Sequence, residues 1–223
     1  AGPANKQGRI AADNICGGNS RFTGSQGSSV LKLFGLTAAS TGINEKTAQA
    51  AEIAYDKVVL FPASHAAYYP GARSMAMKVL YEKESLRLLG AQIVGGEGVD
   101  KRIDVLATAI RAKMTALQLT ELDLSYAPPY SSAKDPANMA GFMIEDLESG
   151  KLRQFHWDEV DGLPRDGSAT LLDVRTAWEY QRGHLDGFRN IPLDDLREHL
   201  DELDQGKPVY VNCQTGLRSY LAC

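Results

Sequence analysis

The clearest pattern lies in the middle of the chain, where Met75, Met77 and Val79 alternate with Ala76, Lys78 and Leu80 after a Pro70-Gly71 turn. Leu86 to Val94 follows across the charged connection Glu82-Lys83-Glu84, so this period-two spacing predicts a β-hairpin or meander. The period then changes. Val99, Ile103, Leu106 and Ile110 recur at helical spacing with Lys101, Arg102, Asp104 and Arg111 on the other side, which predicts an amphipathic helix over 99–113 covering the sheet. Ser29 to Thr37 reads as one strand and Val58 to Phe61 as a buried one. Asn44, with Thr47 three positions on, caps a helix expected to run to Ala54. Residues 29–125 therefore read as a small α+β unit.

Before it, Pro3 suits a first helical turn, and Ile10, Asn14 and Ile15 keep helical spacing up to a glycine-rich loop at Gly17–Gly27. After it, Tyr126-Ala127-Pro128-Pro129-Tyr130 begins a proline-fixed, extended segment through Pro136, and Asn138 to Ser149 is helical up to Gly150. From Lys151 strands alternate with helices: a strand at Thr170–Val174, helix at Trp178–Gln181 and Leu193–Leu203, and a strand at Pro208–Asn212. That order predicts a parallel α/β sheet, whose reactive loops lie at the carboxyl ends of strands, where Asp173 and Cys213 fall. Cys223 ends the chain inside a helix begun near Gly216, and the first helix lacks a domain of its own. The chain is expected to be a fragment cut at both ends.

Composition narrows the function classes. A net charge of −4 gives no electrostatic footprint for nucleic acid, and no apolar run approaches the ~20 residues of a membrane span. Cys16, Cys213 and Cys223 are an odd, scattered set that fits a reducing, cytoplasmic compartment. They lack paired metal-ligand spacing, and the four histidines are isolated, so no metal is expected.

Val211-Asn212-Cys213-Gln214-Thr215-Gly216-Leu217-Arg218-Ser219 carries the most chemistry. A lone cysteine is most often a small buried hydrophobe. Here it ends a strand and is followed by a glycine turn, an arginine and a helix start, an arrangement that points backbone N–H groups at the sulfur and favours an anion. Such a loop lowers the thiol pKa and suits a cysteine that accepts sulfur as Cys–S–S⁻. Cys16 matches no catalytic motif and reads as structural.

The loop resembles the active-site loop of the rhodanese superfamily of sulfurtransferases, as do Asp173-Val174-Arg175, Glu179-Tyr180, Gly183-His184-Leu185 and Asn190-Ile191-Pro192, in order. The resemblance implies that Cys213 carries a persulfide and Arg218 binds its anion. Gln214, Thr215, Gly216, Leu217 and Ser219 complete the loop, with Asp173, Arg175, Glu179 and His184 as scaffold. A cysteine phosphatase loop has five residues between Cys and Arg; four stand here. The family continues for another strand and helix past the loop, which leaves open whether the pocket forms in this chain.

The stretches 1–9, 24–27, 36–42, His65–Ala72, Gly90–Gly95 and Tyr126–Pro136 are similar to the C-terminal part of FAD- and NADH-dependent coenzyme A-disulfide and persulfide reductases, a subset of which carries a C-terminal rhodanese domain. This resemblance implies a remnant of the FAD-binding domain at 1–28, a dimerisation domain and linker helix at 29–150, and an incomplete rhodanese-like domain at 151–223. It implies FAD-facing roles for Pro3, Ala4 and Gln7, and a homodimer formed through residues 29–135. One tyrosine of each loop would lie near the thiol substrate across the dimer: Tyr68 and Tyr126, with Tyr69 and Tyr130 as close alternatives. No Gly-x-Gly-x-x-Gly follows a strand, so FAD and NADH are expected to bind the intact protein and not this chain tightly; coenzyme A is a candidate ligand. The implied activity is reduction of coenzyme A disulfide, persulfide or polysulfide, with sulfane sulfur handled at Cys213. The alternative is a non-catalytic dimerisation and binding module with an inactive rhodanese-like domain.

Overall fold

The structure is a computed structural model that describes residues 2–223; Ala1, which opens the segment 1–28, lies outside the described residues. By its internal contacts the chain divides into two compact units, 1–140 and 141–223.

The first unit opens with α1 (Gly2–Ile15), which has no buried residue. Its sheet has the order β1-β2-β5-β4-β3 and is antiparallel throughout, formed by β1 (Ser29–Leu33), β2 (Leu36–Gly42), β3 (Tyr55–Leu60), β4 (Met75–Glu82) and β5 (Leu88–Gly95). The expected alternation holds at the centre, where buried Met77 and Val79 pair with buried Ile93 and Ala91. Leu80 departs from it. A bulge between Leu80 and Tyr81 breaks the alternation, and both side chains are fully buried. Where the end of β2 pairs with the start of β5, a Cβ on Gly90 would lie 1.8 Å from the Ile43 carbonyl oxygen, so only glycine allows this approach. α3 (Val99–Arg111) lies against β2 and β5 and buries Val99, Ile103 and Leu106.

Several expectations are corrected. Ser29–Thr37 is not one strand but the start of the β1–β2 hairpin: Phe34 adopts φ 51° in the turn with Gly35, and the apolar run across it hides the reversal. β1 is exposed along its whole length. α2 (Glu45–Ala50) stops short of Ala54, although Asn44 does cap it by accepting the Thr47 N–H at 2.9 Å. β3 starts earlier and is half covered; Val58 and Leu60 are buried while Val59 and Phe61 are exposed. Arg102, read on the polar side of α3, is buried. Its guanidinium donates to Asp135 (3.1 Å), Ser131 Oγ (3.0 Å) and Gly98 O (3.3 Å), which compensates the charge and fastens the loop 126–135 to the helix. That loop is not extended throughout: it turns at 128–130, where Tyr130 and Ser131 N–H groups return to Ala127 O, and bends at 133–134. Asp135 also accepts from Ala137 N–H at 3.0 Å ahead of Pro136, the first residue of α4 (Pro136–Glu148), within which the division of the chain falls.

The second unit contains a parallel sheet of order β7-β6-β8: β6 (Thr170–Asp173), β7 (Arg189–Asn190) and β8 (Val209–Asn212). Neighbouring residues of β6 point to opposite faces. Leu172 joins Val174, Ile191 and Leu196 on one side, and Leu171 joins Leu163 and Phe188 on the other, so both faces are covered as a parallel sheet requires. α5 (Ala177–Gln181) and α6 (Leu217–Ala222) complete it. The helix expected at Leu193–Leu203 is a tighter 3₁₀ stretch at Leu196–Glu202, and an unforeseen 3₁₀ turn occupies Trp157–Gly162. The spacing of Leu193, Leu196, Leu200 and Leu203 serves either helix type, so periodicity alone could not separate them. Among the described residues no helix is long and apolar enough to cross a membrane.

Candidate active site

Cys213 follows directly on β8, and the chain then turns over its sulfur. Gly216 takes φ 96°, which an L-residue with a side chain adopts only under strain, and the turn aims the next N–H groups inward. Cys213 Sγ accepts from Gly216 N–H (3.1 Å), Ser219 N–H (3.4 Å) and Ser219 Oγ–H (3.1 Å). The loop is therefore closed about the sulfur. Half-burial against the Leu172 cluster pushes the thiol pKa up, but the Ser219 hydroxyl and the N–H groups of Ser219, Thr215 and Gly216 outweigh it and hold the thiol below its ordinary value. α6 has only six residues, so these individual donors and not a helix dipole do the stabilising. Gln214, Thr215 and Leu217 are exposed around the mouth. Cys223 differs: it is solvent-exposed, no donor reaches its sulfur, and partial desolvation raises its thiol pKa. Cys16 is exposed beyond α1.

Arg218 does not reach outward. Its two terminal nitrogens each donate to one oxygen of Glu179 at 2.7 Å, a bidentate pair that raises the guanidinium pKa, to which the nearby Cys213 also contributes. Glu179 stands in the first turn of α5, where its second role is a capping box: Oε2 accepts from Thr176 N–H (3.0 Å) and Thr176 Oγ–H (2.8 Å). The Arg218 fork, then Thr176, hold the Glu179 carboxyl far below the carboxylate range. Sequence reasoning took Glu179 as scaffold. The available signal was Thr-x-x-Glu at 176–179, which announces a cap and says nothing of an arginine 39 residues on.

The other motif residues brace the strand ends. Fully buried Asp173 holds Arg175 through contacts of 2.6 to 3.0 Å, and Arg175 passes on to Gly183 O at 2.9 Å. Asn190 Nδ2 donates to Asp173 O and Arg175 O. His184 stacks on Tyr180 at 3.8 Å between ring centroids. Tyr220 donates to Asp146 at 2.7 Å and fixes α6 to α4, a contact that no motif signalled.

In the first unit, the hydroxyls of Tyr68 and Tyr126 meet at 3.1 Å, and this hydrogen bond raises the Tyr126 pKa. Tyr69 instead packs edge-on against His65, a buried ring between Ser64 Oγ and Pro70 O, and Tyr130 is exposed. Pro3, Ala4 and Gln7 are exposed on α1, and a helix with no buried residue offers no enclosed donor set. α1 by itself therefore encloses no dinucleotide such as FAD or NADH. No cluster of three or more His, Cys, Asp or Glu among them is arranged to hold a metal ion.

Residues 29–137 match the family model "Pyridine nucleotide-disulphide oxidoreductase, dimerisation domain", and residues 156–223 match "Rhodanese-like domain". The chain is 39% identical over 145 residues to the coenzyme A disulfide reductase of Staphylococcus haemolyticus, covering 65% of this chain and 32% of that protein. Among solved structures it resembles reduced Bacillus anthracis CoADR-RHD (47% identity, TM-score 0.92, 99% of this chain and 40% of that one). It also resembles a NAD-dependent persulfide reductase from A. fulgidus (42% identity, TM-score 0.87, 98% and 39%). The chain thus spans about a third of the length of the curated relatives it matches.

Proposed function

Because the chain joins a pyridine nucleotide-disulphide oxidoreductase dimerisation domain to a rhodanese-like domain, we propose that it is the C-terminal part of a cytoplasmic FAD- and NADH-dependent reductase of coenzyme A disulfides, persulfides or polysulfides. In this reading residues 1–28 close the flavin domain, 29–150 form the dimerisation domain and linker helix of a homodimer, and 151–223 receive sulfur. In the intact protein NADH and FAD would supply the electrons, and Pro3, Ala4 and Gln7 are the residues of this chain proposed to face the flavin. Tyr68 and Tyr126 are the pair proposed to face the thiol substrate, where a phenol can donate to a leaving thiolate; their hydroxyl contact supports choosing them over Tyr69 and Tyr130.

The observation that carries the sulfur-transfer reading is the set of three donors closed about Cys213 Sγ. The Cys213 thiolate attacks the terminal sulfur of a hydropersulfide RS–SH. A Cys213–S bond forms as the donor S–S bond breaks; its electron pair leaves on RS⁻, which takes the proton of the terminal SH. The products are Cys213–S–S⁻ and RSH, with no net oxidation. The same loop donors then serve the persulfide anion.

Intact-mass and peptide mass spectrometry after treatment with cysteine hydropersulfide tests this. One added sulfur atom on Cys213, released by cyanide as thiocyanate, is the expected result. A folded chain that takes up no sulfur there overturns it in favour of a binding module. Light scattering checks the dimer.

A further inference from the structure

α6 supplies two of the three donors to Cys213 Sγ, the N–H and the hydroxyl of Ser219. It is six residues long with no buried residue, and so short a helix does not keep its shape or bearing in water without tertiary anchors. One anchor is the residue next to Ser219. Tyr220 Oη donates to Asp146 Oδ2 at 2.7 Å, across 74 positions of sequence. Asp146 lies near the C-terminal end of α4, in the part of that helix that belongs to the second unit. Its side chain is only 19% exposed, and its other oxygen faces the exposed Lys151 ammonium at 3.6 Å. The hydrogen bond to Asp146 raises the Tyr220 pKa, so the phenol remains a donor while the Cys213 thiol titrates. The family likeness is carried by residues 29–137 and 156–223, and Asp146 belongs to neither segment.

We propose that Asp146 is a positioning residue for sulfur transfer at Cys213: through Tyr220 it fixes α6 and so aims both Ser219 donors at Sγ. This rests on the sulfur-transfer reading above. The Gly216 N–H belongs to the turn ahead of the helix and stays in place when α6 tilts, whereas the Ser219 pair moves with it. Freeing Tyr220 therefore weakens part of the donor set and leaves the rest. A hydrogen-bond contribution of ordinary net size corresponds to about a threefold smaller thiolate fraction, a rise of about half a pH unit in the Cys213 titration midpoint. The charge of Asp146 works in the opposite sense to its bond, because a negative charge near a thiolate disfavours it.

The test follows alkylation of Cys213 by iodoacetamide against pH, read by peptide mass spectrometry, with urea midpoints measured alongside. Tyr220→Phe keeps the ring and loses only the donor, so it should raise the Cys213 midpoint by about half a pH unit. Adding Tyr220→Phe to Asp146→Ala should change nothing further, because the bond is already gone. Asp146→Asn keeps an oxygen acceptor and should not raise the midpoint. A role in stability alone would lower the urea midpoint and leave the Cys213 titration where it was. That result in Tyr220→Phe overturns the proposal, and so does a further rise when Tyr220→Phe is added to Asp146→Ala. If Asp146→Ala fails to fold, Tyr220→Phe decides by itself. Sulfur uptake from cysteine hydropersulfide is scored separately: its absence in the folded, unaltered chain overturns the sulfur-transfer reading, while the titration still judges the clasp.

Discussion

Replacing Ser219 with Ala removes one of the three donors to Cys213 Sγ, the hydroxyl at 3.1 Å, and leaves the Gly216 and Ser219 N–H groups in place. A hydrogen bond to a charged group contributes about 1.5–3 kcal/mol. Sulfur is a weak acceptor, so the low end applies, about 1.5 kcal/mol, or roughly a tenfold smaller thiolate fraction at any pH below both titration midpoints. The rate should not fall tenfold. A more basic thiolate is a better nucleophile, with a Brønsted coefficient of about 0.4–0.5, which returns roughly threefold. Exchange with a dipyridyl disulfide, followed by absorbance in a Cys16→Ser, Cys223→Ser background, should therefore be about threefold slower in Ser219→Ala at low pH and about threefold faster at high pH. The two pH–rate curves must cross. Ser219→Thr, which keeps a hydroxyl, should follow the parent. Curves that superimpose, or that differ by one constant factor at every pH, would show that the hydroxyl does not stabilise the thiolate.

Arg218→Ala strands the Glu179 carboxylate beside Cys213; the thiol should titrate higher than in the parent and sulfur uptake should slow, with Arg218→Lys intermediate because one ammonium cannot replace the planar fork, as read by pH-dependent alkylation of Cys213. Arg102→Ala leaves Asp135 buried without its guanidinium and should cost about 3–5 kcal/mol, measured as a lowered urea midpoint with the largest gain in hydrogen exchange over 126–135. Burial pushes the Glu45 pKa up, but the ammonium groups of Lys57 and Lys78, each 2.6 Å away, pull it down to about 2. A carboxyl depressed in the folded state adds stability above its unfolded value of 4.5, and that stability drains as pH falls towards 2. Glu45→Gln should cost roughly 1–2 kcal/mol at pH 7, after discounting for solvent screening, and progressively less below pH 4.5. Both tryptophans lie in the second unit, so exchange of β3 and β4 amides is the suitable readout.

What the sequence disclosed was whatever is local. Cys213, Gly216 and Ser219 sit within one turn, so the donors around the sulfur could be read from spacing. The alternation of β4 and β5 and the stripe of α3 were equally plain. Contacts made by the long side chains were not. Arg102 has the composition of a surface residue and becomes a core residue because Ser131 and Asp135 reach it from a loop, 29 and 33 residues on. Glu179 carries a cap signature that accounts for it fully at the local level and conceals its pairing with Arg218. The hairpin of β1 and β2 escaped for the opposite reason: Val30 to Leu36 is apolar on both sides of the reversal, and Phe34 is a rare residue for a left-handed turn.

That hairpin bears on handling. β1 is the outermost strand of its sheet, and Val30, Leu31, Leu33 and the turn residue Phe34 stand in solvent beside a row of unpaired backbone groups. Such an edge is a template for strand addition, and within β1 the single charged residue is Lys32. Lys32 is the gatekeeper that would have to be desolvated before two edges could zip together. Self-association of the purified chain would then combine two sources, the specific interface proposed above and edge-to-edge polymerisation. Only the second should turn runaway, and sharply so, once Lys32 is replaced by valine.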